Sequence, residues 1–577
     1  MTTGLRRLPP WLGILALCLV VLLVPDESTQ NTLTVGLIWA LWAASLNITW
    51  GYGGQFSMAQ VALGGVSAYV FVILATRSGW PVFLAIVAGI VSAAVVSVVI
   101  GYMCLRLSGF RFAIMTLAFA LAGVGLASSM EITGRTTGIS APGPWPTLRI
   151  GPLTWDLNGT DGGFTLLLLV VFLLLTGGMW LVLRTRQGRA LLAVREDQLL
   201  AESVGVAARR YRVLAFVLGA VAAGVAGVCQ AQYYQFIYPS LFSFSTLVTV
   251  IVVLVLGGRG LLFGPLVGGL LYALLTNTLH IGGQFEQMIF GAAIILLTVF
   301  ARHGLTYYLS AAVRLVLPRP PAEPVRAEPG PLAPRGGGLT DAALLEISGL
   351  TKAFGGVRAV DDVSFTVGSA AVVGVIGPNG AGKTSLFNLV SGFVRPDAGE
   401  VRWEGRAITG LPAFERSRRG LVRTFQRPRT FPALTVRENL VIAAEGRPAH
   451  PGADPVEQIV ATFGLAELAD RPASALSYGD AKRLGVALAV ATGARMVLLD
   501  EPAAGLNTGD VELLRRDLLE LRKAGCSVLL IEHHMELVLD VCDEIVVLDA
   551  GRVIAQGTPA EVSAHPDVID AYLGSAR

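Results

Sequence analysis

The chain has 577 residues, of which 53% are hydrophobic and 15% charged, and its mean hydropathy is +0.63. This composition is too apolar for an ordinary soluble protein and indicates membrane spans. The formal net charge of +3 is too small to indicate a nucleic-acid-binding protein. The five cysteines have neither metal-site nor disulfide-framework spacing. Nearly all long apolar runs lie before Pro318, so the chain divides into an apolar and a more polar part.

The apolar part contains a series of candidate membrane spans. A span needs about 20 apolar residues, and we expect about eight to ten helical spans here. The first run follows Arg6-Arg7 but has no small-residue cleavage site after it, so we interpret it as an uncleaved span. The candidate runs are Trp11–Val24, Thr32–Trp50, Met58–Thr76, Pro81–Gly101, Phe112–Ser129, Phe164–Leu183, Val213–Gln230, Ser245–Leu256, Leu261–Asn277 and Gln287–Ala301.

The positions of the basic residues predict the orientation of these spans. With ten spans and a cytoplasmic N-terminus, all the main basic groups fall on the cytoplasmic side: Arg6/Arg7, Arg106/Arg111, the dense set Arg184–Arg212, Arg259 and Arg302/His303. The same parity brings residues from Pro318 onward into the cytoplasm. We therefore expect a multi-pass protein of the cytoplasmic membrane.

A polar, glycine-rich segment, Asn47–Ser57, interrupts two apolar runs. One interpretation is a helix–helix contact that small residues permit. The other is a broken helix that lines a polar path, because irregular backbone at membrane depth is tolerated where it faces protein or water. In the second interpretation the candidate path residues are Asn47, Gly51, Tyr52 and Gln55.

A charged helical stretch occupies the longest predicted cytoplasmic loop. It is either a solvated basic loop or a coupling helix that docks into a groove of an ATPase subunit. The residues that would form the coupling helix are Gly188, Arg189, Arg195, Glu196, Asp197 and Glu202.

The composition places a linker between two domains. Residues 318–343 are rich in proline and glycine and are predicted to form a semi-extended linker between a membrane domain, 1–317, and a second domain, 344–577. From Leu344 onward short β-like runs alternate with helical patterns, which indicates an α/β domain.

The second domain contains a phosphate-binding loop of the form GxxxxGKT after the apolar run Ala371–Ile376. Glycines let backbone N–H groups close around phosphate oxygens, and the following helix N-terminus adds positive potential. Lys383 is expected to reach the outer phosphates of ATP, and the Thr384 hydroxyl to hold Mg²⁺. The candidate ATP-binding residues here are Gly377, Pro378, Asn379, Gly380, Ala381, Gly382, Lys383, Thr384 and Ser385.

Further motifs follow in an order that predicts ATP hydrolysis. Phe354 is placed to stack on adenine, and the amide of Gln426 to touch Mg²⁺ and the attacking water. An apolar strand ends in Asp500, a candidate Mg²⁺ ligand, and Glu501, a candidate general base. Another strand ends before His533, which can contact the γ-phosphate.

These motifs resemble those of ABC transporter ATPases over the whole second domain. Leu476-Ser477-Tyr478-Gly479-Asp480 resembles the LSGGQ signature, and Ala504–Asn507 resembles the D-loop. The spelling LSYG, DEPAAGLN, IEHHM and the terminal VIDAYLG look like the ATP-binding subunit of branched-chain amino acid importers. The resemblance implies that Ser477, Tyr478, Gly479 and Asp480 act on the ATP of a partner domain. Asp480 departs from the usual glutamine, and His534 from the usual aspartate.

The apolar part resembles the permease subunit of the same importers over Asn47–Leu305, through GYGGQFSMAQ, LRLSGFRFAIMTLAFA, QGRALLAVREDQLLAESVGV and GGRGLLFGP. We therefore expect a multi-span α-helical membrane domain fused to an α/β P-loop ABC ATPase domain. The resemblance implies a second permease, a second ATPase and an extracytoplasmic solute-binding protein as partners, with no nucleic acid.

The family handles chiefly branched-chain amino acids, while similar systems carry urea, short amides or aromatic acids. An ABC exporter is the alternative, but exporters of that kind usually have about six spans with long cytoplasmic extensions, which these short glycine-rich runs do not match.

Overall fold

The computed structural model describes residues 27–104, 109–143, 148–150, 153–155, 163–279, 343–445 and 456–573, and the single residues 288, 292, 306, 330 and 332. The chain forms two compact units. The first comprises Met1–Arg195 and Arg209–Pro320, and the second comprises Glu196–Ala208 and Pro321–Arg577. The candidate span Trp11–Val24, and most of both the candidate span Gln287–Ala301 and the predicted linker, lie outside the described residues.

The first unit consists mainly of apolar helices, with two short strand pairs. The helices are α1 (Glu27–Leu46), α2 (Gln60–Thr76), α3 (Val82–Cys104), α4 (Phe110–Ser129), α5 (Gly163–Arg184), α6 (Arg186–Glu196), α8 (Ala208–Tyr234), α9 (Phe244–Gly257) and α10 (Gly264–Leu279), with 3₁₀ turns at Glu131–Thr133 and Pro239–Phe242. The antiparallel strand pairs are β1 (Ile139–Ser140) with β4 (Phe236–Ile237), and β2 (Leu148–Ile150) with β3 (Leu153–Trp155).

The other eight candidate spans all coincide with helices of this unit. Within the described part of the chain, five helices are long and apolar enough to cross a membrane: α1 with its π-helical continuation, α3, α4, α5 and α8. The helices α2 and α9 are apolar but shorter.

Burial distinguishes central from peripheral helices. In the most apolar stretch of α1 78% of residues are buried and in that of α8 67%, against 28% in α3 and 17% in α4. A buried hydrogen bond of 2.7 Å from Trp42 Nε1 to Gln230 Oε1 joins the two central helices. The outer helices expose large apolar side chains such as Phe83 and Met103, which suits contact with lipid.

The predicted break in the first central helix is present. The helix α1 continues as a π-helix, Asn47–Tyr52, and then as an irregular segment up to Ala59. Most of this segment is buried, and Gly53 approaches α8 so closely that a Cβ atom would lie 2.6 Å from the Ala215 methyl group. The segment is therefore both an irregular element and a close packing contact.

The second unit has two sheets. The six-stranded sheet has the order β10 (Leu421–Arg423), β11 (Met496–Asp500), β12 (Ser527–Ile531), β7 (Val372–Ile376), β13 (Glu544–Asp549) and β14 (Arg552–Gly557), all parallel except the last pair. The antiparallel four-stranded sheet has the order β6 (Val357–Val367), β5 (Leu345–Phe354), β8 (Ala398–Trp403) and β9 (Arg406–Ala407).

Helices surround these sheets, and a helical subdomain lies between Gln426 and Ser477. The helices of the unit are α7 (Gln198–Ser203), α11 (Lys383–Val390), α12 (Ala413–Arg418), α13 (Val436–Glu445), α14 (Val456–Thr462), α15 (Tyr478–Ala491), α16 (Thr508–Lys523), α17 (Met535–Val541), α18 (Pro559–Ser563) and α19 (Pro566–Leu573), with 3₁₀ turns at Ala466–Leu468 and Ala473–Ala475.

The parallel strands bring the sequence motifs together. The strands β7, β11 and β12 are neighbours and buried along their whole length. Because carboxyl ends of parallel strands meet at one edge of a sheet, the loops after Ile376, Asp500 and Ile531 lie side by side. This edge carries the candidate site.

Candidate functional site

The phosphate-binding loop connects β7 to α11. Gly377 and Gly382 have φ angles of 150° and 95°, which favour glycine. A Cβ atom on Gly377 would lie 2.0 Å from the Leu548 carbonyl oxygen, and one on Gly382 would lie 2.1 Å from the Ala359 carbonyl oxygen. The glycines are therefore required for this loop, which leads its backbone N–H groups into a helix N-terminus suited to anions.

Lys383 is the first residue of α11 and is buried. Its ammonium group donates to the carbonyl oxygens of Gly377, at 2.7 Å, and Pro378, at 2.9 Å. Burial lowers the pKa of Lys383, while the charges of Glu501 and Asp500 oppose that shift. Thr384, Asn379 and Gly380 are exposed along the loop. Pro378 and Ser385 are half-buried. The ammonium and the Thr384 hydroxyl therefore flank the place where the motif predicts phosphates.

The general-base candidate, Glu501, follows the last residue of β11. Its backbone is left-handed, with a φ of 48°. Gln426 Nε2 donates to one carboxylate oxygen at 2.7 Å, and His533 Nε2 lies 3.0 Å from the other. The backbone carbonyl of Glu501 accepts a 2.6 Å hydrogen bond from Lys482 Nζ. The structure thus brings together all three predicted catalytic residues, Glu501, Gln426 and His533.

Asp500, one residue earlier, is 3% exposed and pairs with an arginine that the motif analysis missed. Arg423 Nη2 donates to Asp500 Oδ2 at 2.9 Å. Burial raises the pKa of Asp500, and the Arg423 charge and hydrogen bond oppose the rise. Lys482 was missed as well. The available sequence signal for Arg423 was a basic residue three positions before Gln426. For Lys482 it was a basic residue within the signature helix.

The donors at this edge suit Mg²⁺, which prefers oxygen ligands and usually keeps several waters and substrate phosphates in its shell. Thr384, Asp500 and Gln426 offer a hydroxyl, a carboxylate and an amide oxygen. Among the described residues no group of three or more His, Cys, Asp or Glu side chains could form an all-protein metal cage. The donor set therefore fits a metal that is bound mainly through the nucleotide.

Phe354, the adenine-stacking candidate, ends β5 and is 48% exposed. Lys352 Nζ lies 5.6 Å from its ring centroid. A half-exposed ring at the end of a strand is available for stacking. The contact with adenine stays a prediction.

The signature residues begin α15. Ser477 is the N-cap, and its Oγ accepts a 3.2 Å hydrogen bond from the Asp480 backbone N–H. The Ser477 hydroxyl in turn donates to Asp480 Oδ2 at 2.6 Å. Tyr478 lies against Gly505, and a Cβ atom on Gly479 would lie 2.8 Å from Asp510 Oδ2. In the described part of the chain no hydrogen bond joins Ser477–Asp480 to the loop 377–385.

The charged stretch forms two helices rather than one. Gly188, Arg189 and Arg195 lie in α6, and Asp197 separates α6 from α7 as the N-cap of α7, where its Oδ1 accepts from the Leu200 N–H at 3.0 Å.

The segment from Glu196 to Ala208 belongs to the second unit. Asp197 binds Arg429 at 2.6 Å, and Glu196 Oε2 accepts from the Ala433 N–H at 3.3 Å. Arg418 Nε donates to the Gly205 carbonyl at 2.8 Å. Glu202 accepts from Gln198 within its own helix. The segment thus packs on the α/β domain through Arg418, Arg429 and Ala433.

In the first unit the polar segment is fixed by hydrogen bonds. Asn47 Nδ2 donates to the Leu261 carbonyl at 3.0 Å, and Asn47 Oδ1 accepts from the Gly260 N–H at 2.7 Å. Arg195 Nη1 donates to the Gly51 carbonyl at 2.8 Å. Asn47 and Gly51 therefore tie the π-helix to the turn before α10 and to α6.

The other two candidate path residues, Tyr52 and Gln55, are 4% and 7% exposed. Both amide atoms of Gln55 lack a hydrogen-bond partner among the described residues, as do those of Gln60, which is fully buried at the start of α2. Buried amides without partners are uncommon in folded proteins. Gln60 is a polar residue of this region that the sequence analysis did not single out.

Family comparisons match both parts of the chain. Residues 28–298 match the model of the permease component of branched-chain amino acid transport systems. Residues 360–504 match the ABC transporter model, and residues 552–577 match the model of branched-chain amino acid ATP-binding cassette transporters.

Known proteins resemble the second part. The chain is 41% identical over 251 residues to the high-affinity branched-chain amino acid transport ATP-binding protein BraF of Pseudomonas aeruginosa, a match that covers 40% of this chain and 98% of BraF. It is 39% identical over 251 residues to LivG of Escherichia coli, again covering 40% of this chain and 98% of the relative. The lipopolysaccharide export system ATP-binding protein LptB of Haemophilus influenzae is 36% identical over 235 residues, with 40% and 98% covered.

Among solved structures, a nucleotide-free ATP-binding cassette from an ABC transporter is 33% identical, with a TM-score of 0.37, covering 41% of this chain and 100% of that cassette.

Proposed function

Because the chain belongs to the ABC transporters of the branched-chain amino acid type and joins their permease and ATP-binding components in one polypeptide, we propose that it drives ATP-dependent import of a small polar solute. Branched-chain amino acids are the proposed substrates. The cytoplasmic membrane is the proposed location, with the ATPase domain in the cytoplasm.

The observation that carries the direction of transport is the permease match over residues 28–298. The ATPase part alone does not discriminate between import and export, because it resembles both amino acid transport proteins and an export protein. The long cytoplasmic helical extensions of exporters are also absent from the described part of the first unit, where α6 has 11 residues. Import is therefore favoured over export.

For ATP hydrolysis we propose that Glu501 accepts a proton from the attacking water. Gln426 and His533 hold its two carboxylate oxygens, at 2.7 Å and 3.0 Å, and so restrict its orientation. Gln426 would turn to the water, and His533 to the γ-phosphate, when nucleotide is present. Lys383 and the loop N–H groups would neutralise phosphate charge, which is the main protein contribution to phosphoryl transfer.

Thr384, Asp500 and Gln426 would hold Mg²⁺, which supplies further neutralisation of the phosphate oxygens when it is bound. Phe354 would stack on adenine through its exposed ring face.

The signature would act on the ATP of a partner domain, because Ser477–Asp480 have no hydrogen bond to the loop 377–385 within the described chain. The proposed assembly contains a second permease, a second ATPase and an extracytoplasmic solute-binding protein. In this assembly ATP-driven closure of two nucleotide domains changes the access of the permease path.

Transmission to the permease is proposed to use the segment 196–208, which continues directly from α6. Its contacts with Arg418, Arg429 and Ala433 support that role. In the permease, the buried amide of Gln55 suits a polar path for a zwitterionic solute, because it has hydrogen-bond capacity not used by the described protein.

The same machinery would also suit urea, short amides or aromatic acids, which keeps these substrates as alternatives to branched-chain amino acids. The test is uptake of labelled leucine, urea and phenylacetate into proteoliposomes that contain this chain with its partner subunits and binding protein. ATP-dependent leucine uptake supports the proposal. Uptake of urea or phenylacetate without leucine uptake would refute branched-chain amino acids as the substrates. ATP-driven efflux without uptake would refute import.

A further inference from the structure

The second unit contains a buried ion pair between a motif residue, Asp500, and an arginine outside the sequence motifs, Arg423. Arg423 is the last residue of β10, and Asp500 is the last residue of the adjacent strand β11. The side chains are 4% and 3% exposed, and Arg423 Nη2 donates to Asp500 Oδ2 at 2.9 Å. A buried ion pair is retained at a desolvation cost, so its geometry and its further hydrogen bonds decide what it contributes.

Arg423 is fixed by several further contacts. Its Nη1 donates to Asn388 Oδ1 at 2.6 Å and to Ser391 Oγ at 3.3 Å, both at the end of α11. Its guanidinium carbon lies 5.5–6.0 Å from the ring centroids of Phe387, Phe393 and Phe425. The hydrogen bonds and the rings therefore hold the guanidinium plane in one orientation.

The fixed guanidinium restricts the carboxylate that it binds. A carboxylate at a strand end can rotate about its side-chain bonds, but here Oδ2 is hydrogen-bonded to a group that cannot follow such a rotation. The direction of Oδ1 is thereby set as well. Groups that orient a metal ligand in this way commonly change metal affinity when they are removed.

We infer that Arg423 is a positioning residue for Asp500, which it holds in one orientation for the Mg²⁺ that accompanies ATP. This inference rests on the proposed function, because Asp500 is a metal ligand only if the site binds MgATP. Arg423 itself touches neither nucleotide nor metal in this role. It acts through the Asp500 carboxylate.

The inference distinguishes arginine from lysine at this position. A lysine keeps the positive charge but has no planar fork, so it cannot hold Asp500, Asn388 and Ser391 from one rigid group. If only charge mattered, lysine would restore the site. If orientation matters, Arg423→Lys should be more stable than Arg423→Met, but its response to Mg²⁺ should stay impaired.

The test measures binding of a fluorescent ATP analogue to the full-length chain in lipid nanodiscs, first in EDTA and then during a Mg²⁺ titration. The variants are Arg423→Met and Arg423→Lys. As a matched control, Arg402→Met removes an arginine from an exposed pair with Glu400 on β8. Thermal unfolding of each variant shows whether it is folded.

We expect both Arg423 variants to bind the analogue in EDTA within about twofold of wild type and to need about tenfold more Mg²⁺ for half of the metal-dependent signal. Arg423→Met should have no further effect in the Asp500→Asn background, because its effect passes through that carboxylate. The Arg402 control should titrate like wild type.

An unchanged Mg²⁺ midpoint in a folded Arg423→Lys protein would overturn the inference, as would an equal loss of binding with and without Mg²⁺, which a purely structural role predicts. If Arg423→Met does not fold, Arg423→Lys decides alone. Wild-type chain that binds the analogue with no Mg²⁺ dependence would instead refute the proposed Mg²⁺ site, and the inference with it, whereas wild-type chain that does not bind the analogue at all would refute the proposed ATP site.

Discussion

At the residue scale the main feature is the strained backbone of Glu501. A non-glycine residue with a φ of 48° costs about 1–3 kcal/mol and persists only where its surroundings enforce it. The Lys482 ammonium donates to the carbonyl oxygen of Glu501 at 2.6 Å, and the backbone N–H of Glu501 donates to the Ile531 carbonyl at 2.9 Å. The strain aims the carboxylate at Gln426 and His533 instead of continuing the strand, which fits a catalytic role.

The first prediction concerns this carboxylate. Glu501→Gln keeps the shape of the side chain but removes the base, so ATP turnover should fall by about 10²-fold or more while ATP binding remains. Phosphate release and retention of labelled ATP by the purified complex measure the two effects. Glu512→Gln, which alters an exposed carboxylate on α16, serves as the control. Turnover near the wild-type rate in Glu501→Gln would exclude Glu501 as the base.

The second prediction concerns the signature. The Ser477 hydroxyl donates to Asp480 Oδ2 in this structure, so it is not free to donate to a partner's phosphate. A carboxylate at this place also adds like charge near the phosphate. Asp480→Gln should therefore leave the steady-state ATPase rate of the assembled complex unchanged or raise it, by up to about threefold, a difference of less than 1 kcal/mol. A clear decrease would mean that the hydrogen bond of Asp480 itself supports the signature.

At the element scale a titrating carboxyl group on α16 feels the charge of an arginine on the signature helix α15. Burial raises the pKa of Asp517 on α16 to about 7, although Arg483 on α15 opposes the shift. Asp517 Oδ2 has no hydrogen-bond partner among the described residues. The unfolded chain loses this proton near pH 4, whereas the folded domain keeps it up to about pH 7. Folding stability should therefore fall as pH rises through this window.

The third prediction follows from that sign. Asp517→Asn removes the titration, so its stability relative to wild type should increase by about 2 kcal/mol between pH 4.5 and pH 7.5, a value reduced for the partial exposure of the side chain. Thermal or urea unfolding of the ATPase unit at the two pH values measures it. A difference between the two proteins that does not change with pH would contradict the shifted pKa.

The fourth prediction concerns the segment 196–208 as an element. Arg429→Glu places two carboxylates at the contact with Asp197 and should reduce solute-stimulated ATPase activity about threefold or more, while basal activity is largely kept. Adding Asp197→Asn should restore part of the stimulation, because asparagine removes the repulsion and still caps α7. Equal loss of basal and stimulated rates would indicate local misfolding instead of uncoupling.

At the scale of the whole molecule the chain carries one permease and one ATPase. Its signature resembles one that acts on the ATP of a partner domain, so we expect a closed ATP site to need a second nucleotide domain. We likewise expect one set of spans to supply only part of a translocation path. This division is the physical reason to expect an assembly.

The fifth prediction is that the chain does not transport as a monomer. Proteoliposomes that contain only monodisperse single chains should show no ATP-driven uptake, and uptake should appear when a second permease and a second ATPase are added. We favour such a heteromeric complex, since the resemblance is to one member of each pair in a four-subunit family. Uptake by single chains would refute the requirement for two nucleotide domains. Uptake by a homodimer would refute only the heteromeric composition.

The sequence by itself determined the class of the protein and the position of its phosphate-binding loop. Apolar runs of span length are unstable when exposed to water and are therefore buried in a membrane or a protein core. A glycine-rich loop with Lys383 and Thr384 needs only its adjacent strand and helix to form. Both are local properties. For the same reason the eight described candidate spans coincide with helices, and the break at Asn47 is where polar residues interrupt an apolar run.

The tertiary structure decided what depends on distant residues. Arg423 and Lys482 carry no motif, and only the pairing of β10 with β11 and the packing of α15 bring them to Asp500 and Glu501. Arg416, 1% exposed, likewise donates to the carbonyls of Leu389 and Val390 at the end of α11, a contact across 27 and 26 residues. Buried charges are tolerated only where the fold supplies partners, and those partners are far apart in sequence.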